Sequence, residues 1–537
     1  MANRRRDSPL AVTPPDVATD RYAPLTTESL NYSNHLQNQQ HHANELRASI
    51  AHYVAAQSMS APMNGHKTIA KHASGPAPLW LDVDTGHDDA FAILLAARSP
   101  DVRLLGLSTV YGNAPLPQTT YNTRAILEAI GRTDVPVYAG ASKPHSREAC
   151  HAPEIHGKSG LDGTACLPKP TVKESDLDAV RAMHRALSAQ PKGTAWLVAT
   201  GALTNIAALF AQHPTIVDHI AGLSIMGGAV GNHFTGAPMG KLKGEGERFG
   251  NHTPMAEFNI WCDPESAQAI FSNAELAKKT TLIPLDLTHQ FLATSEVRIG
   301  LLGFGSGAGS EPTMASVSSV RRLFFEIVTF FARTYADVFG ITAGPPTHDP
   351  LAVAVAFRPD LFYCNAEGTA EHSGQHERFT VEVVTKGEHG MNVSSDTSSQ
   401  CGRTIVTPLP PGEEGITIPR GLEARTLWSL LEACLNRTEM SMHRATAVSR
   451  KQSNSSKVIH ANAEQNHADL PSLYPSADPE NGGEDMSTLV PNANTTLSQF
   501  EQSAGTFPDI KGPVSDKGGE FLTTNKIAAL GITPMDM

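Results

Sequence analysis

Short apolar runs alternate with amphipathic helical patterns over one part of this chain, from about residue 77 to about residue 435. The runs have the length and the Val, Ile and Leu content of strands that are buried on both faces. Buried strands that alternate with helices indicate an α/β fold with an open, mostly parallel sheet flanked by helices. The strand candidates are LWLDV, VRLLGLSTV, VPVYAG, AWLVAT, GLSIMGG and TTLIPLD.

The segments on either side of this region carry no such pattern. Residues 1–76 include the polar tract NYSNHLQNQQHHANE, and residues 436–537 are rich in Ser, Asn and Gln. Neither segment has enough apolar side chains to offset the conformational entropy lost on folding. We therefore predict one domain, residues 77–435, between disordered N- and C-terminal tails.

Charge and cysteine spacing exclude several classes of protein. The formal net charge is −12, which argues against a nucleic-acid-binding protein because phosphate neutralisation requires a basic face. The six cysteines lie far apart without a CxxC pair, which is typical of reduced thiols in an intracellular protein. No run approaches the roughly 18 to 20 apolar residues of a membrane helix, and no apolar signal-peptide core follows the N-terminal arginines. We expect a cytoplasmic protein without a membrane partner.

The densest polar cluster comes directly after the first predicted strand. LWLDV leads into the turn DVDTGHDD, which supplies Asp82, Asp84, Asp88 and Asp89 before a helix begins. Four carboxylates this close repel one another and lose hydration, so a cation best explains them. Hard oxygen ligands without neighbouring Cys or suitably spaced His favour Ca²⁺ or Mg²⁺ over Zn²⁺. The turn also lies at the carboxyl end of a strand, where α/β folds bind ligands.

One further carboxylate has to come from a distant segment, because calcium takes roughly six to eight oxygens. Asp349 is the best candidate, since the Gly/Pro-rich loop of GPPTHDPLAVAVAF delivers it with His348 to the start of an apolar helix. The HDP triplet alone equally suits a helix N-cap followed by Pro at the first helical position.

The turn DVDTGHDDA resembles the amino-terminal signature of the inosine-uridine preferring nucleoside hydrolases, which cut the bond between a ribose and its base. Further blocks follow in the family's order over about residues 77–435: GLSTVYGNAPL, VPVYAG, HGKSGLDG, LVATGALTNIA, IMGGAV, AEFNIWCDPE, LDLTHQFLAT and THDP. The resemblance implies a nucleoside-hydrolase-like fold with a Rossmann-like core and a ribonucleoside substrate. It also implies a homo-oligomer, either a dimer or a tetramer.

The resemblance further implies a role for individual residues. A calcium ion would be held by Asp84, Asp89, Asp349 and the backbone carbonyl of Thr200. Asp84 would be the general base for a calcium-bound water, and His348 would be the acid that protonates the departing base. Asp82 would orient the loop without touching the metal. The 2′- and 3′-hydroxyls would be held by Asp88, Asn113, Asn259 and Asp349, the 5′-hydroxyl by Asn251 and Glu257, and the sugar face by Met226.

Several of these residues also suit ordinary structural roles when they are taken alone. Asn113 stands in a Gly-Asn turn, where tolerance of a left-handed backbone would suffice. Met226 suits a core position. Glu257 and Asn259 flank Phe258 in an alternating pattern, which would place both on one face of a strand or in solvent.

Two other functions fit part of the pattern. The string DVDT after a buried strand also suits a haloacid-dehalogenase-like phosphatase with Asp82 as nucleophile, but it leaves AEFN and THDP without a role. A nucleoside- or ribose-binding protein without turnover is the non-enzymatic alternative, and the complete set of ligand residues argues against it. A polar insertion at about residues 232–250 is either a lid over the base or a surface loop, and its length slightly favours the loop.

Overall fold

A six-stranded parallel sheet lies at the centre of the computed structural model, which describes residues 75–240, 248–303, 317–366, 376–390 and 399–444. Its strand order is β3-β2-β1-β4-β5-β6. The chain therefore moves outward in one direction from β1 to β3 and then crosses back to β4, which makes the β1/β4 boundary a topological switch point. The strands are β1 (Ala77–Val83), β2 (Val102–Thr109), β3 (Val137–Ala139), β4 (Trp196–Ala199), β5 (Gly222–Met226) and β6 (Thr280–Ile283).

The six strands coincide with the six apolar runs picked out in the sequence, so the predicted α/β sheet is confirmed. Helices follow the strands in chain order. They are α1 (Asp89–Arg98), α2 (Leu116–Ala129), α3 (Pro153–His156), α4 (Ala179–Ser188), α5 (Thr204–Gln212), α6 (Ile216–His219), α7 (Phe258–Cys262), α8 (Pro264–Phe271), α9 (Ala274–Ala277), α10 (Leu285–Thr288), α11 (Ser295–Leu301), α12 (Ser319–Phe339) and α13 (Pro350–Val355). Residues 424–444 form a further helix, α14.

Strand β1 shows how the sheet is buried on both faces. Leu79, Leu81 and Val83 belong to one hydrophobic cluster, whereas Trp80 belongs to another. Because successive side chains of a strand point to opposite faces, the two clusters lie on opposite sides of the sheet. Helices α1, α12, α13 and α14 contribute to the first cluster and helices α4, α5 and α8 to the second. Both faces of the sheet are thus covered by helices, as parallel sheets require.

Smaller elements complete the described part of the chain. A 3₁₀ turn at Pro359–Leu361 precedes β7 (Phe362–Tyr363), which pairs antiparallel with β10 (Gly421–Leu422). Strands β8 (Phe379–Val383) and β9 (Thr404–Pro408) form a second antiparallel pair. None of the described helices is long and apolar enough to cross a membrane.

The predicted tails lie outside the described residues, apart from residues 75–76 and 436–444. The same holds for residues 241–247 of the polar insertion, so its role as a lid or as a loop stays a prediction.

Helix α14 continues to residue 444, past position 435 where the sequence pattern predicts the domain to end. Buried Arg321 of α12 forms ion pairs with Glu432 and Glu439, each at 2.8 Å, and donates to Asn436 Oδ1 at 2.7 Å. Arg437 donates to the carbonyl of Arg98 at 2.7 Å. Polar residues that composition alone assigns to a solvated tail are therefore paired with the domain.

We expect Arg321→Ala to lower the free energy of unfolding by about 3 kcal/mol, because Glu432 and Glu439 would keep their charges in largely buried surroundings without a partner. Urea unfolding followed by circular dichroism measures the change. The control is Arg322→Ala, which removes an ion pair with Glu326 one turn along the same helix from an exposed arginine and should change little. Equal losses of unfolding free energy in the two variants would contradict the conclusion that the ion pairs of Arg321 stabilise the fold.

Candidate active site

Two neighbouring loops at the carboxyl edge of the sheet fix the acidic turn. The loop after β1 carries Asp84, Asp88 and Asp89, all of them buried. The loop after β2 carries Asn113, whose backbone N–H donates to Asp84 Oδ2 at 2.9 Å and whose side-chain amide donates to Asp89 Oδ2 at 3.2 Å. Gly86 N–H also donates to Asp89 Oδ2 at 2.9 Å, which orients this carboxylate at the first turn of α1. Asn113 therefore orients carboxylates, beyond any preference for a turn.

Asp349 joins this turn from the distant loop before α13. Asp88, Asp89 and Asp349 each offer one carboxylate oxygen, and these oxygens lie within 4.8 Å of one another. Burial raises the pKa of Asp349, and the nearby charges of Asp88, Asp89 and Asp84 act in the same direction, so Asp84 also lies beside this group. The structure thus places Asp88, which the sequence analysis assigns to the ribose, in one group with the predicted ligands Asp89 and Asp349, whereas the predicted ligand Asp84 stands outside this group of three.

Thr200 enters the same cluster from the end of β4. Its hydroxyl donates to Asp89 Oδ1 at 2.8 Å, and its carbonyl oxygen accepts from Asn259 Nδ2 at 2.8 Å. Thr200 therefore connects the acidic turn, through its hydroxyl, to the AEFN segment, through its carbonyl oxygen.

The donor set fits a hard divalent cation. Asp84 is held closely, because a Cβ on Gly112 would lie 2.1 Å from its Oδ2 and a Cβ on Gly201 would lie 2.9 Å from its Cγ. Its other oxygen, Oδ1, is buried and has no hydrogen-bond partner among the residues that the structure describes. A buried carboxylate oxygen without a partner costs free energy unless a cation or a proton satisfies it. Oxygen-only ligands of this kind suit Ca²⁺ or Mg²⁺.

Burial and mutual repulsion raise the pKa values of these carboxyls when no metal is bound. Burial, with added repulsion from Asp89, raises the pKa of Asp88 to about 8. Burial also raises the pKa of Asp84 well above its usual value, and repulsion by Asp89 and Asp88 acts in the same direction. A bound cation would favour the ionised forms and reverse these shifts.

Asp82 forms hydrogen bonds with residues of β2, α5 and the end of β4. Its Oδ1 accepts from Asn205 Nδ2 at 2.8 Å and from the Ser108 hydroxyl, and its carbonyl accepts from Thr200 N–H at 2.9 Å. Burial raises its pKa to about 7, against the effect of these hydrogen bonds. Asp82, like Asp84 and Asp89, is not among the residues that line the cavity described next. Asn205, its partner, is a site residue that the sequence analysis did not identify.

A cavity of about 460 Å³ opens beside the acidic cluster. One part of its wall is polar and consists of residues that the sequence assigns to the metal or to the sugar. The other part is mostly aromatic and imidazole-bearing. The polar wall contains Asp88, Asn113, Thr200, Met226, Asn251, Glu257, Asn259 and Asp349, and the second wall includes His151, His156, His252, Phe331, Tyr335, Phe339 and His348.

Glu257 and Asn259 belong to the start of helix α7, so the suggestion that both stand on a strand face is wrong. Glu257 is the N-cap: its Oε1 accepts from Asn259 N–H at 2.8 Å, and its Oε2 accepts from Gly228 N–H at 2.9 Å and Ile260 N–H at 3.0 Å. Free N–H groups at a helix start favour such a carboxylate. Asn259 Nδ2 reaches both Thr200 O and Met226 O, the latter at 3.3 Å. Asn259 therefore links β4 and β5.

His348, which lines the cavity next to Asp349, stands between two hydroxyl groups. Its Nδ1 lies 2.7 Å from Thr288 Oγ1 and its Nε2 lies 2.7 Å from the Tyr335 hydroxyl. Burial lowers the pKa of His348 well below its ordinary value, and the nearby His289 acts in the same direction. The lowered pKa favours the neutral imidazole, so a role as acid would require the environment of His348 to change when substrate binds.

Several lining residues escaped the sequence analysis. Tyr335 and Phe331 lie within the apolar periodicity of α12, where they look like core positions. His156 opens the HGKSGLDG block, and its place in that block was the one sequence signal that could have identified it. His252 lies in the loop before α7 and contacts Phe258 with ring centroids 5.4 Å apart.

We expect the free energy of unfolding of the metal-free protein to fall as pH rises from about 6.5 to about 8. Asp88 and Asp82 have raised pKa values in the folded state, so the folded protein binds more protons than the unfolded chain over this window. Buried histidines with lowered pKa values act in the opposite direction only below about 6.5, the unperturbed histidine pKa. Chemical unfolding in the presence of a chelator measures the slope.

The matched variant for this experiment is Asp88→Asn, which should flatten the fall in stability between the same two pH values. Stability that rises with pH over this window, or a slope that Asp88→Asn leaves unchanged, would contradict the raised pKa of Asp88.

Comparison with known proteins identifies the family to which this chain belongs. The model of the family described as inosine-uridine preferring nucleoside hydrolase matches residues 79–429. Uridine nucleosidase of Saccharomyces cerevisiae is 36% identical over 368 residues, which cover 67% of this chain and 96% of the yeast protein. The pyrimidine-specific ribonucleoside hydrolase of Shigella boydii is 36% identical over 287 residues, which cover 53% of this chain and 81% of that protein.

The solved structures agree. A purine-preferring ribonucleoside hydrolase from Gardnerella vaginalis superposes with a TM-score of 0.53 at 26% identity, covering 68% of this chain and 99% of that one. The match extends over every block that the sequence analysis aligned, from the acidic turn to THDP, and it leaves no support for a phosphatase. The chain belongs to the inosine-uridine preferring nucleoside hydrolase family and is an enzyme that hydrolyses ribonucleosides.

Proposed function

We propose that this enzyme hydrolyses ribonucleosides to ribose and free base with a calcium ion held by Asp84, Asp89, Asp349 and the carbonyl of Thr200. The observation that carries the proposal is the convergence of buried carboxylates from two distant loops, with Asp84 Oδ1 lacking a partner within the described residues. Such a cation would bind the attacking water, lower its pKa and contact the ribose hydroxyls.

Asp84 is the proposed general base. One of its oxygens accepts from the backbone N–H of Asn113, which would orient the carboxylate for proton transfer from a water bound to the cation. The negative charges of Asp88, Asp349 and Glu257 lie along the cavity where positive charge develops on the ribose as the N-glycosidic bond breaks. His348 is the proposed acid for the departing base, and its Tyr335 and Thr288 hydrogen bonds fix its ring.

The polar wall is the proposed ribose site. Asp88, Asn113, Asn259 and Asp349 would bind the 2′- and 3′-hydroxyls, and Asn251 and Glu257 would bind the 5′-hydroxyl. Asn251 Oδ1 already accepts a hydrogen bond from Phe258 N–H at 2.9 Å, so its amide nitrogen is the group that would donate to a ligand. Met226 would pack against the sugar.

Uridine is the proposed first substrate among the common ribonucleosides, because the two related enzymes described above are named for uridine and for pyrimidines. We further propose a homo-oligomer that works in the cytoplasm. All six cysteines are free, which suits a reducing compartment. Sedimentation analysis tests the oligomer.

The decisive experiment incubates the purified chain with uridine, cytidine, inosine and adenosine in the presence of calcium and measures free ribose. Release of ribose that a chelator stops and calcium restores is the expected result. Absence of ribose from all four substrates would overturn the proposal.

Replacement of Asp349, the proposed ligand from the distant loop, distinguishes a metal site from an ordinary helix cap. We expect Asp349→Asn to remove calcium binding, measured by titration calorimetry, and to lower kcat/KM by roughly a thousand-fold or more, since metal, ribose and water would all lose one contact. The control is Asp218→Asn, on the exposed surface of α6. Full calcium binding in Asp349→Asn would refute the ligand assignment.

The contacts proposed for the ribose hydroxyls predict a preference for ribonucleosides over 2′-deoxyribonucleosides. We expect kcat/KM for 2′-deoxyuridine to fall below that for uridine by roughly ten- to a hundred-fold, because a missing hydroxyl leaves buried polar groups unpaired at a cost of about 1–3 kcal/mol. Parallel rate measurements at one calcium concentration give the ratio. Equal rates on the two substrates would show that the polar wall does not bind this hydroxyl.

A further inference from the structure

A second cavity, of about 320 Å³, lies at the far end of helix α1 from the acidic turn. Helix α1 begins at Asp89 and ends at Arg98, which lines this cavity. Ten residues of helix span about 15 Å, so the cavity is separate from the candidate active site. Four arginines line it, with no Asp or Glu among its described lining residues: Arg98, Arg132, Arg437 and Arg444.

Helix α14 contributes one of its faces to this cavity. Four of its residues follow the spacing i, i+3, i+4 and i+7, which places them on one side of the helix: Arg437, Met440, Ser441 and Arg444. Nη1 of Arg98 donates to Ser441 Oγ at 3.2 Å and so connects the end of α1 to this face. The composition of residues 436–444 predicts a solvated tail, so the sequence analysis could not identify this cavity.

Part of the arginine cluster serves the ends of helices. Arg98 donates from Nε to the carbonyl of Ile130 at 2.9 Å and from Nη2 to that of Gly131 at 3.1 Å, just after α2 ends. Arg132 donates to the carbonyl of Ala97 in the last turn of α1. Arginine side chains commonly stabilise the free carbonyls of a helix end. These contacts account for the two arginines beside α1 and α2, but not for the two on α14.

The positive charges of this cavity are not balanced within the described residues. Arg132 has a carboxylate partner, since its Nε and Nη2 donate to Asp134 at 2.8 and 2.9 Å. Arg98, Arg437 and Arg444 form no ion pair with a described residue. Burial lowers the pKa of Arg98, and repulsion by Arg132 and Arg437 acts in the same direction, whereas the charge of Asp134 offsets part of this effect. A bound anion would relieve the repulsion.

The unused N–H groups indicate which anion fits. A guanidinium carries five N–H donors. Arg437 donates from Nε to the carbonyl of Arg98 at 2.7 Å and from Nη2 to Cys434 Sγ at 3.3 Å. Its Nη1 and the whole guanidinium of exposed Arg444 have no acceptor among the residues that the structure describes. Paired guanidinium N–H groups match the spacing of phosphate oxygens.

We propose that this cavity binds a small soluble phosphate ester, with Arg437 and Arg444 as its principal ligands and Arg98 as a supporting charge. The site goes beyond ribonucleoside hydrolysis and does not depend on it. A phosphate monoester carries nearly two negative charges at neutral pH, so it offsets more of the unbalanced charge than a carboxylate does. The cavity volume is at the lower end of the range for small-molecule sites, which leaves room for the organic part of the ester.

Calorimetric titration of the full chain with glycerol 3-phosphate tests the proposal. Glycerol and sodium chloride at matched ionic strength are the control ligands. We expect saturable binding to one site for the ester alone. Arg437→Gln and Arg444→Gln should each raise Kd by roughly ten-fold or more, because each removes charge-assisted hydrogen bonds to the phosphate. The matched control is Arg425→Gln, which removes the same charge from an exposed position outside the cavity on the same helix and should leave Kd unchanged.

Two variants keep the test valid if one of them unfolds. Arg437→Gln loses a hydrogen bond to the end of α1, so its fold is checked by circular dichroism. Arg444 is exposed, and Arg444→Gln should keep the fold. Absence of saturable binding in the parent, an unchanged Kd in Arg444→Gln, or an equal rise of Kd in Arg425→Gln would overturn the proposal. Adsorption to vesicles that contain phosphatidic acid, without binding of the soluble ester, would also overturn it.

Discussion

The repulsion among buried carboxylates at one edge of the sheet is the constraint on which the rest of this structure depends. Asp84, Asp88, Asp89 and Asp349 are each almost fully buried, and burial removes the water that would otherwise stabilise their charges. Gly112 and Gly201 pack closely against Asp84, and Asn113 and Thr200 donate the hydrogen bonds that hold Asp84 and Asp89 in place. Repulsion among these carboxylates destabilises the metal-free fold, and a bound cation would relieve it.

The topology explains why these groups meet. Strands β1, β2 and β4 are adjacent in the sheet, so their carboxyl ends deliver the DVDTGHDD turn, Asn113 and Thr200 to one place. Asp349 arrives from the loop before α13, a helix that packs in the same hydrophobic cluster as α1. Side chains at strand ends and helix starts are held more precisely than side chains on long loops, which suits a binding or catalytic site.

Much of this could be predicted from the sequence, and the failures have physical reasons. All six strands were recognisable because helices cover both faces of the sheet, and strands buried in this way have nearly continuous apolar sequences. The acidic turn was recognisable because four carboxylates in eight residues repel one another when they are buried, a pattern that favours a cation-binding site. Glu257 was harder, since alternation suggests a strand while the residue caps a helix through hydrogen bonds that only the folded chain forms. Arg321 and α14 show the same limit: composition cannot reveal that a polar segment is paired with a distant arginine.

The two walls of the cavity are carried largely by different structural elements. The polar wall is built from strand ends and helix starts that also carry the acidic cluster, so a change there would alter both. The second wall is built from α12, the HGKSGLDG loop and His348, and its groups contact one another through hydrogen bonds between rings and hydroxyls. The two walls share one loop, because His348 directly precedes Asp349 in THDP. A substitution at His348 would therefore also affect Asp349, whereas α12 carries Phe331 and Phe339 on an element that holds none of the carboxylates of the cluster.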